Sequence, residues 1–284
     1  MSDKQTPKTM SDAHNSFHAE KRRARRDKFK PAEQKSGNWK RKFVERDNAD
    51  RYLMYGLHTI RQALCNPQRE CIKLYATKNG LSRLELPDEA LQGFTVEEKL
   101  PRDLDKLVGS DAVHQGVVLD TKPLKASSLQ DLSQSKLILL LDQITDPHNV
   151  GAIMRSAVAM DAGALITTSR FSPIESGVLA KSASGALDLI AHIEVRNLSE
   201  TLESLHDLGY TTIALDSEEA IAFEAVPDQG KIALVLGAEG KGLRQKVRNT
   251  CKIRARLDMP GEIKSLNVSN AAVLALYLSR QKLT

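Results

Sequence analysis

Cysteine is scarce in this chain. It has three, Cys65, Cys71 and Cys251, in 284 residues, and no CxxC pair. An odd, scattered set excludes a disulfide scaffold and a cysteine-based zinc site, and the natural compartment is a reducing cytoplasm. Long apolar runs are missing too. Runs such as Leu137–Leu141 and Ile232–Leu236 have five residues, and none in the chain comes near the roughly twenty that a membrane-spanning helix needs. No charged stretch followed by an apolar segment opens the chain, so no secretory signal is expected. The histidines lack metal-ligand spacing and no HExxH is present, so no metal is expected. Neither GxGxxG nor GxxxxGK[ST] occurs, and no Ser-His-Asp arrangement is readable from spacing.

What is present is an ordinary globular composition, 41% apolar and 27% charged, with one asymmetry. Residues 1–50 hold 14 Lys/Arg against 8 Asp/Glu, a net +6, while the other 234 residues carry 27 against 28, a net −1. The positive excess therefore belongs to the start of the chain, and it points to a polyanion such as nucleic acid. Residues 1–51 have few large apolar side chains and read as a disordered basic tail. Within it, Lys21-Arg22-Arg23-Ala24-Arg25-Arg26 suits phosphates, and Trp39 among Lys40, Arg41 and Lys42 suits base stacking. The competing reading is a solvated tail that only keeps the protein soluble.

Residues 52–122 read as a small α/β domain. Leu57, Ile60, Ala63 and Leu64 recur at helical spacing, and Ile72–Ala76, the stretch around Val96 and Val113–Leu119 are extended. Residues 123–135 are polar and read as a linker. Residues 136–284 alternate strands (137–141, 164–168, 189–193, 212–215, 232–236, 253–257) with helices (150–161, 175–186, 198–208, 243–249, 268–280). Such alternation predicts a parallel sheet covered by helices on both faces. Ligands bind such sheets at the carboxyl ends of strands, so the loops that follow strands are the informative ones.

Three of those loops stand out. In the first, Asp146-Pro147-His148-Asn149 leads into a helix whose apolar stripe is Val150, Ile153, Met154, Ala157 and Val158. Asn149 sits where an N-cap belongs and Arg155 falls off the stripe, so a cap and a solvated arginine compete with a functional pair. The second, Gly237-Ala238-Glu239-Gly240-Lys241-Gly242, follows a buried strand. Its glycines allow close backbone approach, and Glu239 disfavours a phosphate and suits a neutral or cationic ligand; a plain tight turn is the alternative. In the third, Met259-Pro260-Gly261 leads to Ser265-Leu266-Asn267 at a helix start, with Ser265 or Asn267 as cap.

Together, Asp146 to Ala157, Leu234 to Leu243 and Met259 to Ser269 resemble, in order and spacing, the three motifs of the SpoU (TrmH) family of RNA 2′-O-ribose methyltransferases. Tyr55-Gly56-Leu57-His58 with Val113-His114-Gln115-Gly116-Val117 resembles the L30e-like substrate-binding domain that precedes the catalytic domain in a subset. The resemblance covers about 230 residues and leaves the basic tail unmatched. It implies a SPOUT fold, an α/β sheet with a C-terminal trefoil knot, over residues 136–284. Patterning alone predicts an unknotted doubly wound sheet.

The resemblance further implies S-adenosylmethionine as cofactor, held around Leu215, Gly237, Leu257, Met259 and Leu266. It implies a reaction centre of Asn149, Arg155, Glu239, Ser265 and Asn267, a homodimer with the site near the subunit interface, and a guanosine of large-subunit (23S) ribosomal RNA as acceptor. A tRNA 2′-O-methyltransferase and a non-catalytic RNA-binding assembly factor are the alternatives. Two departures accompany it. Leu257 stands where relatives often carry Ile, and Asp188 near a place where they often carry Glu.

Overall fold

Runs of apolar residues without alternation form the centre of the molecule. The computed structural model describes residues 51–86, 95–132, 134–219 and 221–284; the basic tail with Trp39 lies outside them. Six strands make one sheet: β5 (Leu137–Asp142), β6 (Ala164–Thr168), β7 (Ala191–Val195), β8 (Thr211–Leu215), β9 (Ile232–Gly237) and β10 (Ile253–Ala255), in the order β10-β8-β9-β5-β6-β7. Every pairing is parallel, as the strand–helix alternation predicts. Leu137, Leu139 and Leu141 of β5 join one buried cluster, and Ile138 and Leu140 join another. The sheet therefore has a core on each face, which is why its strands read as continuous apolar runs.

Helices α4 (Pro147–Ala159), α5 (Gly177–Ala183) and α8 (Val268–Gln281) contribute to the first core. Helices α6 (Leu198–Asp207) and α7 (Gln245–Thr250) contribute to the second. No described helix is long and apolar enough to cross a membrane.

The front of the chain builds a four-stranded mixed sheet. It comprises β1 (Tyr52–Tyr55), α1 (Leu57–Cys65), β2 (Cys71–Ala76), α2 (Lys78–Arg83), β3 (Thr95–Glu98), α3 (Pro101–Val108) and β4 (Val117–Thr121), with strand order β1-β4-β2-β3. β4 runs antiparallel to both neighbours and β2–β3 is parallel. Its buried Met54, Ile60, Leu74, Val117 and Leu119 belong to the same cluster as Leu139 and Met154. The two sheets accordingly belong to one compact unit.

Several boundaries differ from those expected, each for a local reason. The strand expected at 189–193 lies at 191–195, because Ala186–Asp188 forms a 3-10 turn that leaves Leu189 exposed. The helix expected from 175 to 186 is shorter: Ser176 caps its start, and Ser184 and Gly185, both left-handed (φ 52° and 97°), stop it. The polar stretch 123–135 is fastened rather than free. The Ser127 N–H donates to the His192 carbonyl (3.0 Å), Leu132 is buried, and the Tyr210 hydroxyl donates to the carbonyls of Leu132 and Ser135 (3.1 and 2.6 Å).

Candidate active site

Because the strands of the large sheet are parallel, the loops that leave their carboxyl ends gather along one edge. β5 ends on Asp142, and Gln143 turns the chain with a left-handed φ of 62°. Helix α4 then starts three residues earlier than expected. Pro147 occupies its first turn and the Asp146 carboxylate caps it, accepting from the His148 N–H at 3.0 Å. Asn149 is therefore not the cap. It lies inside the first turn, and its side-chain oxygen is free for another contact.

That contact comes from the far end of the chain. The Asn267 amide donates to Asn149 Oδ1 (3.0 Å) and to Glu239 Oε1 (2.8 Å). Glu239 Oε1 also accepts from the Val268 N–H (3.0 Å), and Asn267 Oδ1 caps α8 by accepting from the Ser269 N–H (2.9 Å). Three predicted residues from three loops thus form one hydrogen-bonded group. Glu239 is turned onto the start of α8, where a carboxylate satisfies a free backbone donor and the positive end of the helix.

The loop that carries Glu239 needs its glycines. A Cβ on Gly237 would lie 2.3 Å from the Gly242 carbonyl carbon and 2.5 Å from the Leu243 nitrogen. Gly240 and Gly242 have φ of 75° and 63°. The Gly242 N–H closes the loop onto the Ala238 carbonyl at 2.8 Å. One contributor escaped the sequence reading: fully buried Asp142 accepts from the Arg244 N–H (2.9 Å) and from its Nε (2.8 Å). This two-pronged contact ties the glycine loop to the end of β5. An acidic residue ending a buried apolar strand was the available signal.

Beside this group lies a cavity of about 240 Å³. Leu215, Gly237, Leu257, Met259 and Leu266, all expected to hold the cofactor, line it, as do Glu239 and Ser265. Asp216, Ser217 and Lys264 also line it and were not anticipated. The Lys264 ammonium is turned to the Met259 carbonyl (2.7 Å), and Asp216 pairs with Arg248 (2.9 Å). The walls combine four leucines and glycine-loop backbone with the Asp216 and Glu239 carboxylates and the Lys264 ammonium, a lining that fits a largely apolar ligand with charged groups of both signs.

Arg155 stands apart. It lies six residues beyond Asn149 on α4, about 9 Å along the axis. It is exposed and has no hydrogen-bond or ion-pair partner among the described residues. Among the described residues no cluster of His, Cys, Asp and Glu could hold a metal ion.

Comparison with known proteins places this arrangement. Residues 136–277 match the family model described as SpoU rRNA Methylase family, and residues 53–127 match that for RNA 2′-O ribose methyltransferase substrate binding. The 23S rRNA (guanosine-2′-O-)-methyltransferase RlmB of Ralstonia nicotianae is 35% identical over 235 residues, covering 79% of this chain and 93% of that protein. The RlmB of Pseudomonas putida is 33% identical over 237 residues, covering 79% and 94%.

Among solved structures, the SpoU methyltransferase AviRb from Streptomyces viridochromogenes, in complex with the cofactor AdoMet, superposes with a TM-score of 0.69 at 22% identity, over 82% of this chain and 90% of that one. An AdoMet-bound rRNA methyltransferase from Sinorhizobium meliloti gives 0.70 at 21%, over 84% and 90%. These two share the fold. With the family model spanning the large sheet and relatives above 30% identity matched over nearly their whole length, the chain belongs to the SpoU methylase family.

Proposed function

We propose that the protein transfers a methyl group from S-adenosylmethionine to the ribose 2′-hydroxyl of a guanosine in 23S ribosomal RNA. The observation that carries this reading is the meeting of the three loops: Asn149, Glu239 and Asn267 form one hydrogen-bonded group beside a pocket lined by Glu239 and Ser265. The RlmB relatives supply the acceptor by their names.

The lining fits such a cofactor, since apolar walls suit its adenosine and the charged Glu239, Asp216 and Lys264 suit an end that carries charges of both signs. Leu215, Gly237, Leu257, Met259 and Leu266 would hold it. When bound, S-adenosylmethionine supplies an electrophilic methyl group on a sulfonium. What the chain adds is chiefly position, because a weak ribose nucleophile gains most from being held in line. Asn149 and Asn267 orient the ribose, with Glu239 fixing the Asn267 amide and Ser265 completing the rim. A guanidinium is a poor base, so Arg155 acts as a clamp on the substrate phosphate. A required 2′-hydroxyl restricts the acceptor to RNA.

The same reading includes a trefoil knot in residues 136–284, an L30e-like RNA-binding domain over 52–122, a linker over 123–135 and a basic tail over 1–51 that adds phosphate contacts. It also includes a cytoplasmic homodimer. The outer face of α8 supports the dimer, since Val273, Leu274 and Tyr277 are all exposed there and a second copy would cover them.

The test is methyl transfer from labelled S-adenosylmethionine to unmodified 23S rRNA, 16S rRNA and tRNA. Label is expected on 23S rRNA alone. Arg155→Ala should lower it on the order of 10²–10³-fold while cofactor binding by calorimetry is retained. Label on tRNA would overturn the acceptor assignment, and failure to bind the cofactor would overturn the enzyme reading.

A further inference from the structure

The front sheet meets the large-sheet part of the chain through a buried charged cluster that the reaction does not use. The Arg69 side chain is fully buried. Its Nε donates to Asp188 Oδ1 at 2.8 Å, and its Nη1 donates to the Tyr52 hydroxyl (3.0 Å) and the Lys122 carbonyl (3.2 Å) and pairs with Glu175. Glu175 also accepts from the Tyr52 hydroxyl and from the Leu124 N–H (3.1 Å), and Asp188 Oδ1 accepts from the Asn66 amide (3.0 Å). Tyr52, Asn66, Arg69, Lys122 and Leu124 belong to the front sheet and its exit. Glu175 and Asp188 flank α5 in the large-sheet part.

Around the cluster the backbones come close. A Cβ on Gly177 would lie 2.4 Å from the Leu53 carbonyl oxygen. Thr59 Oγ1 donates to the Ala180 carbonyl (3.2 Å), and Lys181 Nζ donates to the Gln115 side chain (2.8 Å). Burial opposes the Arg69 charge, but Tyr52, Asp188 and Glu175 outweigh it and hold its pKa above the ordinary arginine value.

The two folded parts share one apolar cluster, but apolar burial is non-directional, so it holds them together without fixing the angle between them. A buried ion pair is a weak source of stability compared with apolar packing, but it penalises any arrangement that separates the charges. Here it closes only when Arg69 meets both carboxylates, with Tyr52 and the Leu124 N–H on Glu175 and the Asn66 amide on Asp188. We propose that Arg69, with Glu175 and Asp188, is a positioning residue that locks the front sheet in one orientation against the large sheet. On the reading above, RNA held by the front sheet is thereby presented to the pocket at a fixed place. This rests on the proposed function only for the RNA; the lock itself rests on the contacts.

The test uses the full chain with Asp188→Asn, which keeps the shape and removes the charge. Hydrogen exchange should rise at residues 52–55 and 122–128. KM for 23S rRNA should rise about ten-fold, the scale of one hydrogen bond to a charged group. kcat and the cofactor Kd should hold within about two-fold, the signature of lost substrate binding and not of lost chemistry. Glu175→Gln, which loses the charge and keeps an acceptor for Tyr52, serves if Asp188→Asn does not fold. Unchanged exchange would overturn the lock, and raised exchange with an unchanged KM would overturn its role in presenting RNA. Wild-type protein that methylates no RNA would instead overturn the function, and exchange would still decide the lock.

Discussion

The two sheets place their polar residues differently. In the six-stranded sheet, β5, β6 and all of β9 but its last residue are buried along their whole length, so their side chains serve only the two cores. Polar chemistry is displaced to the ends, where Asp142 ties down the glycine loop and Asn149, Glu239 and Asn267 meet. In the front sheet β2 is half-buried and β3 mostly exposed, and charges sit on or beside the strands themselves. Glu97 of β3 pairs with Lys73 of β2 (2.5 Å) and with Lys99. A sheet covered on both faces offers a ligand its edge. The front sheet, buried along β4 but open at its β3 edge, offers a surface there, the shape that suits a large partner.

The sharpest way to break this contrast is to truncate one strand residue in each sheet. Leu139 is fully buried in β5, and Leu139→Ala should cost about 2–5 kcal/mol through lost burial and the cavity left behind. Val96 in β3 is 38% exposed, and Val96→Ala should cost less than about 0.5 kcal/mol. Urea unfolding of both variants checks this. Comparable losses would mean that the front sheet is as tightly covered as the large one.

A second comparison sets Gly237 against Gly109. A methyl group on Gly237 meets backbone atoms that no rotamer change can move. Gly237→Ala should therefore destabilise by about 1–3 kcal/mol and weaken cofactor binding on the order of ten-fold or more through the displaced loop. Gly109, which ends α3, has φ 94° but open space around it. Gly109→Ala should cost only the backbone strain, about 1–3 kcal/mol, with cofactor binding intact. Calorimetry on both separates strain from collision.

What could be read from the sequence follows the same division. β5, β6 and β9 were legible because burial on both faces leaves an unbroken apolar run. β1, α2 and α3 were not. β1 has four residues, two of them tyrosines; α2 has six, including Gly80, and is held by the Thr77 hydroxyl accepting from the Gly80 N–H (2.9 Å); α3 buries only Leu104. Such segments take their structure from packing, which a local pattern does not contain. The three-loop group was legible only as a resemblance. Asn267 lies 118 residues from Asn149 and 28 from Glu239, and no periodicity links them. The cap reading of Asn149, one of two its position allows, fails because Asp146, three residues upstream, takes that role and Pro147 favours the earlier start.

The smallest expected effect sharpens the comparison most, because it sets two glutamates against each other. The Lys73 and Lys99 ammonium groups beside Glu97 hold its carboxyl at about 2, well below the ordinary carboxylate value. In the unfolded chain the group takes up a proton near pH 4.5. Its contribution is therefore present above that pH and is lost as the pH falls toward 2. Both lysines are partly exposed, so salt screens the pairing and Glu97→Gln should barely move the unfolding midpoint at pH 7. The difference from wild type should shrink further between pH 4.5 and 2. Among the described residues Glu239 has no such ion pair. It holds the Asn267 amide and the Val268 N–H, so Glu239→Gln should cost about 1 kcal/mol or less in stability. On the proposed function it should nevertheless lower methyl transfer, because the Asn267 amide it holds would orient the ribose. Acid titration of the first variant and turnover of the second check the pair. A stability loss in Glu97→Gln with no activity loss in Glu239→Gln would reverse the assignment, placing structural charge on the front sheet's surface and leaving the three-loop group without a chemical role.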